Sequence, residues 1–301
     1  MLSGHPKHDH DISIDILGTT LRTPIWVSSM TGGTAMANTI NTNLAKACGE
    51  YGMGMGLGSC RALLDSDERL SDFAMRGLIG DQPLYANLGI AQLDELFQAN
   101  KQQLISELVK KLEADGLIIH INPLQEWLQP EGDIYHVSPI DIVKRVIDLA
   151  PDMNIIVKEV GQGMGPKSLE ALYKLPIMAV DFAAGGGTNF AKLELHRASQ
   201  KQQDRYTGLA QVGHSAHEMV VMANDILAKI NNPACRATII SGGVADYLDG
   251  YYLTGKLNGN AIYGQASGFL KHAMDDYETL QQHVESQIKG LQMADAFLTI
   301  R

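Results

Sequence analysis

Short apolar runs alternate with stretches of helical periodicity along the chain. Eight runs have the length and composition of strands: "PIWVSS" (24–29), "GMGMGLG" (52–58), "PLYANLG" (83–89), "GLIIHIN" (116–122), "NIIVKEV" (154–160), "IMAVDFA" (177–183), "ATIISGG" (237–243) and "NAIYGQA" (260–266). Each is rich in Val, Ile or small residues, the pattern of parallel strands covered on both faces. The second carries four glycines, which disfavour a strand. Between the runs, Leu93, Leu96, Phe97, Leu104, Ile105, Leu108 and Leu112 keep to one face of a helix, as do Ala216, Met219, Val220, Ala223, Ile226, Leu227 and Ile230. Eight βα units in a chain of 301 residues predict an α/β fold, a TIM (β/α)8 barrel forming a single domain over 1–301. A doubly wound open sheet competes, because periodicity does not show closure. One gap, between the sixth and seventh runs, is too long. Its excess, "FAKLELHRASQKQQDRYTG" (190–208), is polar and charged, and reads as an insertion on the active-site face or an oligomer contact.

Composition narrows the partners. The formal net charge of −10 argues against nucleic acid, so any anionic ligand must be held locally by a few cations and backbone N–H groups. The three cysteines, Cys48, Cys60 and Cys235, have no metal spacing, which points to a reducing compartment and away from zinc. No apolar run approaches the ~18 residues of a membrane span. The polar start "MLSGHPKHDHDIS" lacks a signal-peptide apolar region, so the expectation is a cytoplasmic protein with no membrane partner.

Barrel enzymes work at the C-terminal ends of their strands. There the sequence places Met30-Thr31-Gly32-Gly33, Ser59-Cys60-Arg61, Asn87, His120 to Glu126, Lys158-Glu159, Gly185-Gly186-Gly187-Thr188, Ser241-Gly242-Gly243 and Gly264-Gln265-Ala266. The last three exits suit a phosphate cradle, since glycines let the backbone approach an anion. Any one of them alone reads equally as a tight βα turn. Lys158 sits in the apolar run "IIVKEV". Glu159 is its nearest anion, but adjacent strand residues face opposite ways, so Lys158 is free to meet a ligand. A cation there would stabilise the anionic reduced ring of a flavin. Arg61 is either a surface arginine or a fork for phosphate oxygens. If the fourth run stays extended to Asn122, alternation puts His120 and Asn122 on one face toward the barrel axis, with Gln125 and Glu126 on the turn. A carboxylate beside neutral amides suits a hard cation such as Mg²⁺, shared with a bound diphosphate.

Seven stretches, "SSMTGGT" (28–34), "MGLGSCRALL" (55–64), "ANLGIAQL" (86–93), "HINPLQEWLQPEGD" (120–133), "IIVKEVGQGM" (155–164), "DFAAGGGTNFAKLE" (181–194) and "ISGGV" (240–244), run through nearly the whole chain in one order. In them the chain resembles the type 2 isopentenyl diphosphate isomerases, FMN-dependent barrels. The resemblance implies interconversion of isopentenyl and dimethylallyl diphosphates, with FMN reduced by NADPH, Mg²⁺ required and no net redox change. It implies that Ser29, Met30, Thr31, Ser59, Asn87, Lys158 and Thr188 line the FMN. Gly243, Val244, Ala245, Gln265 and Ala266 then hold its phosphate region. Ser59, Arg61, His120, Asn122 and Gln125 face the small-molecule diphosphate substrate, with Gln125, Asn122 and His120 as the catalytic set and Glu126 as the Mg²⁺ ligand. It also implies a homo-oligomer, a tetramer or octamer.

The chain departs from that pattern at three places. The family opens with an Arg-Lys-x-x-His element that grips the diphosphate, whereas no arginine precedes Arg22 here, and "HPKHDH" is not its equivalent. Full turnover is therefore expected to need that element. Cys60 stands where the family usually has Gln, and Ala245 where an arginine often follows "SGG". Two other functions share these features. A catalytically silent FMN-binding homologue would keep the cradle and Lys158. An FMN-dependent 2-hydroxy-acid oxidase would need a catalytic histidine in a Gly-Gly-Arg context, which His214 and His217 in "VGHSAH" lack.

Overall fold

The computed structural model describes residues 4–5, 10–31 and 36–301. Gly32 and Gly33, and most of the "HPKHDH" segment, lie outside the described residues. The chain opens with an antiparallel hairpin, β1 (Ile14–Ile16) and β2 (Thr19–Leu21), whose turn residues Leu17 and Gly18 both have positive φ. Ile16, Leu17 and Leu21 are buried against Trp26, Tyr85, Ile156 and Met178.

The next strands are β3 (Ile25–Val27), β4 (Gly54–Gly56), β5 (Leu84–Gly89), β6 (Gly116–His120), β7 (Asn154–Lys158), β8 (Ala179–Asp181), β9 (Ala237–Ser241) and β10 (Ala261–Gln265). They pair in parallel in chain order, and β10 pairs back onto β3. Each of the eight apolar runs contains one of them, and closure excludes the open doubly wound sheet. The glycine-rich run is a strand because its neighbour is large. A Cβ at Gly54 would come within 2.6 Å of the Trp26 ring, so the indole takes the space that a side chain would occupy.

One helix expectation is corrected. Residues 93–112 do not lie on a single helix but on two, Ile90–Gln98 and Gln103–Lys111. Asn100 takes the left-handed conformation at φ 55, and the Lys101 N–H donates back to Leu96 O at 2.8 Å, which ends the first helix. The periodicity survives the break because both helices pack apolar residues into the same core, among them Leu93, Leu96, Ile105 and Leu108. The excess at 190–208 folds into helices Phe190–Arg197 and Gln200–Tyr206. Ala191, Leu195 and Ala210 pack with Leu128 of helix Pro123–Leu128, which follows β6. The segment therefore covers the C-terminal side of the barrel.

The barrel interior is graded. Trp26, Tyr85, Ile118, Ile156 and Ala179 form an apolar layer. Two residues further along three of these strands the same face carries His120, Lys158 and Asp181, in register across β6, β7 and β8. Apolar packing thus supports a buried polar floor beneath the C-terminal mouth.

Candidate active site at the barrel mouth

Above that floor lies a cavity of 310 Å³, walled by the exits of β3, β7, β8, β9 and β10. Ser29, Met30, Lys158, Thr188, Gly243, Val244, Gln265 and Ala266, all singled out from the sequence, line it. Ser241 and Gly242 of the expected phosphate cradle line it too, as does Ser28, for which the sequence suggests no role. The exits of β8 and β9 meet closely here. A methyl at Gly242, where φ is +85, would overlap the Ala184 carbonyl oxygen, and one at Gly243 would stand 2.8 Å from Gly185 O. The other residues expected around the flavin lie outside the lining. Thr31 donates its hydroxyl to Asn41 Oδ1 at 3.0 Å, and Ala245 donates its N–H to Asp249 Oδ2 at 3.0 Å. Ser59 is exposed, and Asn87 is buried beside His120.

Lys158 is buried and donates from Nζ to Glu159 O at 2.7 Å. No carboxylate lies within ion-pair distance of it among the described residues. The expected divergence of Lys158 and Glu159 holds. The Glu159 carboxylate turns into its own loop and accepts from Gly161 N and Gln162 N at 2.6 Å and from Gly163 N at 3.0 Å. Burial raises the Glu159 pKa, against the pull of these amides. The acid that Lys158 does face in register is Asp181, which sequence reasoning missed. Its signal was a carboxylate inside the apolar run "IMAVDFA". Asp181 is fully buried and accepts a hydrogen bond from the Ser241 hydroxyl at Oδ1, while Oδ2 has no partner among the described residues. Burial raises its pKa, and the Lys158 charge works against the rise.

His120 Nδ1 lies 2.8 Å from Asn87 Oδ1, and Asn87 Nδ2 donates to Leu57 O at 2.9 Å. Asn87 Oδ1 is thus the acceptor, and His120 carries its proton on Nδ1. Burial first, and the Lys158 charge second, push the His120 pKa down to about 3. The imidazole is neutral at working pH. Its folded pKa lies below its unfolded one, so between about pH 6.5 and 3 the unfolded chain binds the extra proton. Stability from this group is complete above that window and falls as pH drops, by about 1.4 kcal/mol per pH unit. Urea unfolding at pH 7 and pH 5 should show His120→Asn losing about 2 kcal/mol less than wild type. Equal acid losses in the two proteins would mean that His120 is not buried neutral.

The β6 exit builds the second half of the site. Asn122 is buried, and its Nδ2 donates to Gln125 Oε1 at 3.1 Å and to Glu126 Oε1 at 2.8 Å. Asn122 Oδ1 is buried without a partner among the described residues. Glu126 Oε2 accepts the Asp133 N–H at 2.9 Å, and Asp133 Oδ2 accepts from Arg61 Nη1 at 2.8 Å. The structure therefore brings Arg61, Asn122, Gln125 and Glu126 into one hydrogen-bonded chain. None of these four lines the cavity, and nor does His120, but His120, two residues before Asn122, is in register with the lining residue Lys158 on β7. Among the described residues no three His, Cys, Asp or Glu side chains cluster as a metal site, and the three cysteines are buried and unpaired.

Fold and site together define a TIM barrel with a polar cavity at the C-terminal ends of its strands. No family model matches the sequence. An isopentenyl-diphosphate delta-isomerase of Rickettsia felis is 34% identical over 284 residues, 94% of this chain and 79% of the relative. One from Nostoc sp. is 35% identical over 280 residues, 93% of this chain and 77% of the relative. The chain belongs to the isopentenyl-diphosphate delta-isomerase family. Among solved structures, a mandelate oxidase mutant with an FMN adduct superposes with TM-score 0.61 at 12% identity, over 98% of this chain and 80% of that one. A flavocytochrome b2 mutant with sulfite bound gives TM-score 0.63 at 14% identity, over 100% and 71%. At these identities the likeness is one of fold.

Proposed function

We propose that the protein interconverts isopentenyl diphosphate and dimethylallyl diphosphate, with FMN held in its reduced state and Mg²⁺ shared with the substrate. NADPH supplies the electrons that reduce the flavin. The observation that carries this reading is the register pair His120 and Lys158, which sets the exits of β6 and β7, and with them two unlike half-sites, side by side. One half is a cavity with a buried cation and glycine turns. The other is a set of amides around one carboxylate.

The residues of the first half fit FMN. Among the described residues, Ser28 Oγ, Ser29 Oγ and Gln265 Oε1 are buried there without partners, while Gln265 Nε2 donates to Val244 O and Ala245 O. Three unmet polar groups beside a lysine suit a polar ring that offers both donors and acceptors. The second half fits Mg²⁺. Among the described residues each Glu126 oxygen has one protein partner and retains a lone pair, and Asn122 Oδ1 is unpaired. One carboxylate with amide oxygens is the donor set of an ion that takes its remaining ligands from phosphate and water.

Reduced flavin supplies proton exchange without net redox change when bound. The chain's own residues do the rest. Lys158 balances negative charge on the ring. Neutral His120 orients a substrate rather than acting as a strong acid, and Asn122 fixes Gln125 and Glu126 toward it. A cytoplasmic homo-oligomer, a tetramer or octamer of one-domain subunits, completes the proposal. The oxidase reading is disfavoured by two placements. His214 lines a separate 520 Å³ cavity, and His217 stacks on Tyr252 with ring centroids 6.2 Å apart. Heat release of the cofactor followed by mass measurement tests the flavin assignment. FMN is expected, and FAD, or no flavin after reconstitution, would contradict it.

A further inference from the structure

We infer that Asp133 is a positioning residue that presets Arg61 for a diphosphate group, an inference that rests on the reading just given. Arg61 opens a short turn after β4, and its side chain is half exposed. Among the described residues its partner is Asp133 Oδ2, reached by Nη1 at 2.8 Å. Asp133 is itself pinned from two sides. The same Oδ2 accepts from Nε2 of buried Gln92 at 3.2 Å, and Gln92 Oε1 accepts the Gly89 N–H at 3.1 Å. Its main-chain N–H donates to Glu126 Oε2 at 2.9 Å. One residue thus ties the exits of β4, β5 and β6 together, with the arginine fork on one side and the metal-type carboxylate on the other.

An unanchored arginine gives up rotamer freedom when it grips an anion. One anchored through Nη1 gives up less, and keeps Nε and Nη2 for two phosphate oxygens. The Asp133 charge acts in the opposite sense, because a nearby carboxylate repels a diphosphate. Substitution separates the two effects. Both side-chain contacts end on a single oxygen, so the amide oxygen of Asn can accept both while the charge is gone. Alanine removes both contacts and leaves the Glu126 bond, which comes from the main chain.

The test uses the flavin-loaded protein with Mg²⁺. It reads calorimetric binding of inorganic diphosphate alongside steady-state turnover of isopentenyl diphosphate. Asp133→Ala should raise the diphosphate Kd and the substrate KM about three- to tenfold, with kcat within about twofold and flavin content unchanged. Asp133→Asn should restore both constants to wild-type values or below. In an Arg61→Ala background, Asp133→Ala should have no further effect. An unchanged Kd in Asp133→Ala, an equal effect in the Arg61→Ala background, a failure of Asn to rescue, or loss of flavin would overturn the inference. The two readings fail separately. Diphosphate binding with this pattern but no turnover sinks the isomerase reading alone, whereas turnover indifferent to Asp133 sinks the positioning role alone. A wild-type protein that binds no diphosphate sinks both.

Discussion

Glu126→Gln should abolish the Mg²⁺ dependence of turnover and lower kcat by about 10²-fold or more, while the protein keeps its flavin. Metal stabilisation of phosphate charge is worth several kcal/mol, and about 3 kcal/mol corresponds to more than a hundredfold in rate. The substitution carries a second, smaller cost. Both Glu126 oxygens accept from N–H donors, Asn122 Nδ2 on one side and Asp133 N on the other. A Gln has one acceptor oxygen, so its amide nitrogen must face one of those donors, at a cost of about 1 kcal/mol. That loss moves Tm slightly and does not reach the flavin cavity. Metal titrations of turnover on both proteins, with flavin absorbance as the control, check this. If the variant loses flavin together with activity, Glu126 is a structural residue.

Lys158→Ala should weaken binding of reduced flavin more than of oxidised flavin, and so lower the bound flavin's midpoint potential. The lysine is buried, lines the cavity and has no ion-pair carboxylate among the described residues, so its charge is available to the ring. Removing one partner of a buried pairing costs about 3–5 kcal/mol at most. For a two-electron couple, each 1.4 kcal/mol of preference for the reduced ring corresponds to about 30 mV. A fall of several tens of millivolts is therefore expected. Asp181 loses its balancing cation in the same variant, and burial then drives its carboxyl further toward the neutral form. Potentiometry of the two proteins decides the matter, and an unchanged potential would place Lys158 away from the ring.

The barrel was legible because its strands are buried on both faces, which leaves continuous apolar runs such as "GLIIHIN". The amino-terminal hairpin went unread although Ile12, Ile14 and Ile16 alternate as a half-buried strand does. The break at Asn100 was hidden because helical phase persisted through it. In the site, residues at the strand exits could be named because alternation assigns their face, as for His120 and Lys158. What could not be named were partners distant along the chain. Arg61 and Asp133 are 72 positions apart, and Asp181 and Ser241 are 60. Closure of the barrel, rather than any local pattern, sets those pairs side by side.

The most direct measurement is an anaerobic assay of the purified protein with isopentenyl diphosphate and Mg²⁺, with FMN oxidised in one sample and reduced in the other, followed by NMR of the product. The account predicts dimethylallyl diphosphate only in the reduced sample, with no consumption of reductant per turnover. No product from a protein that carries reduced FMN, Mg²⁺ and bound diphosphate would contradict it and leave a silent flavin-binding homologue.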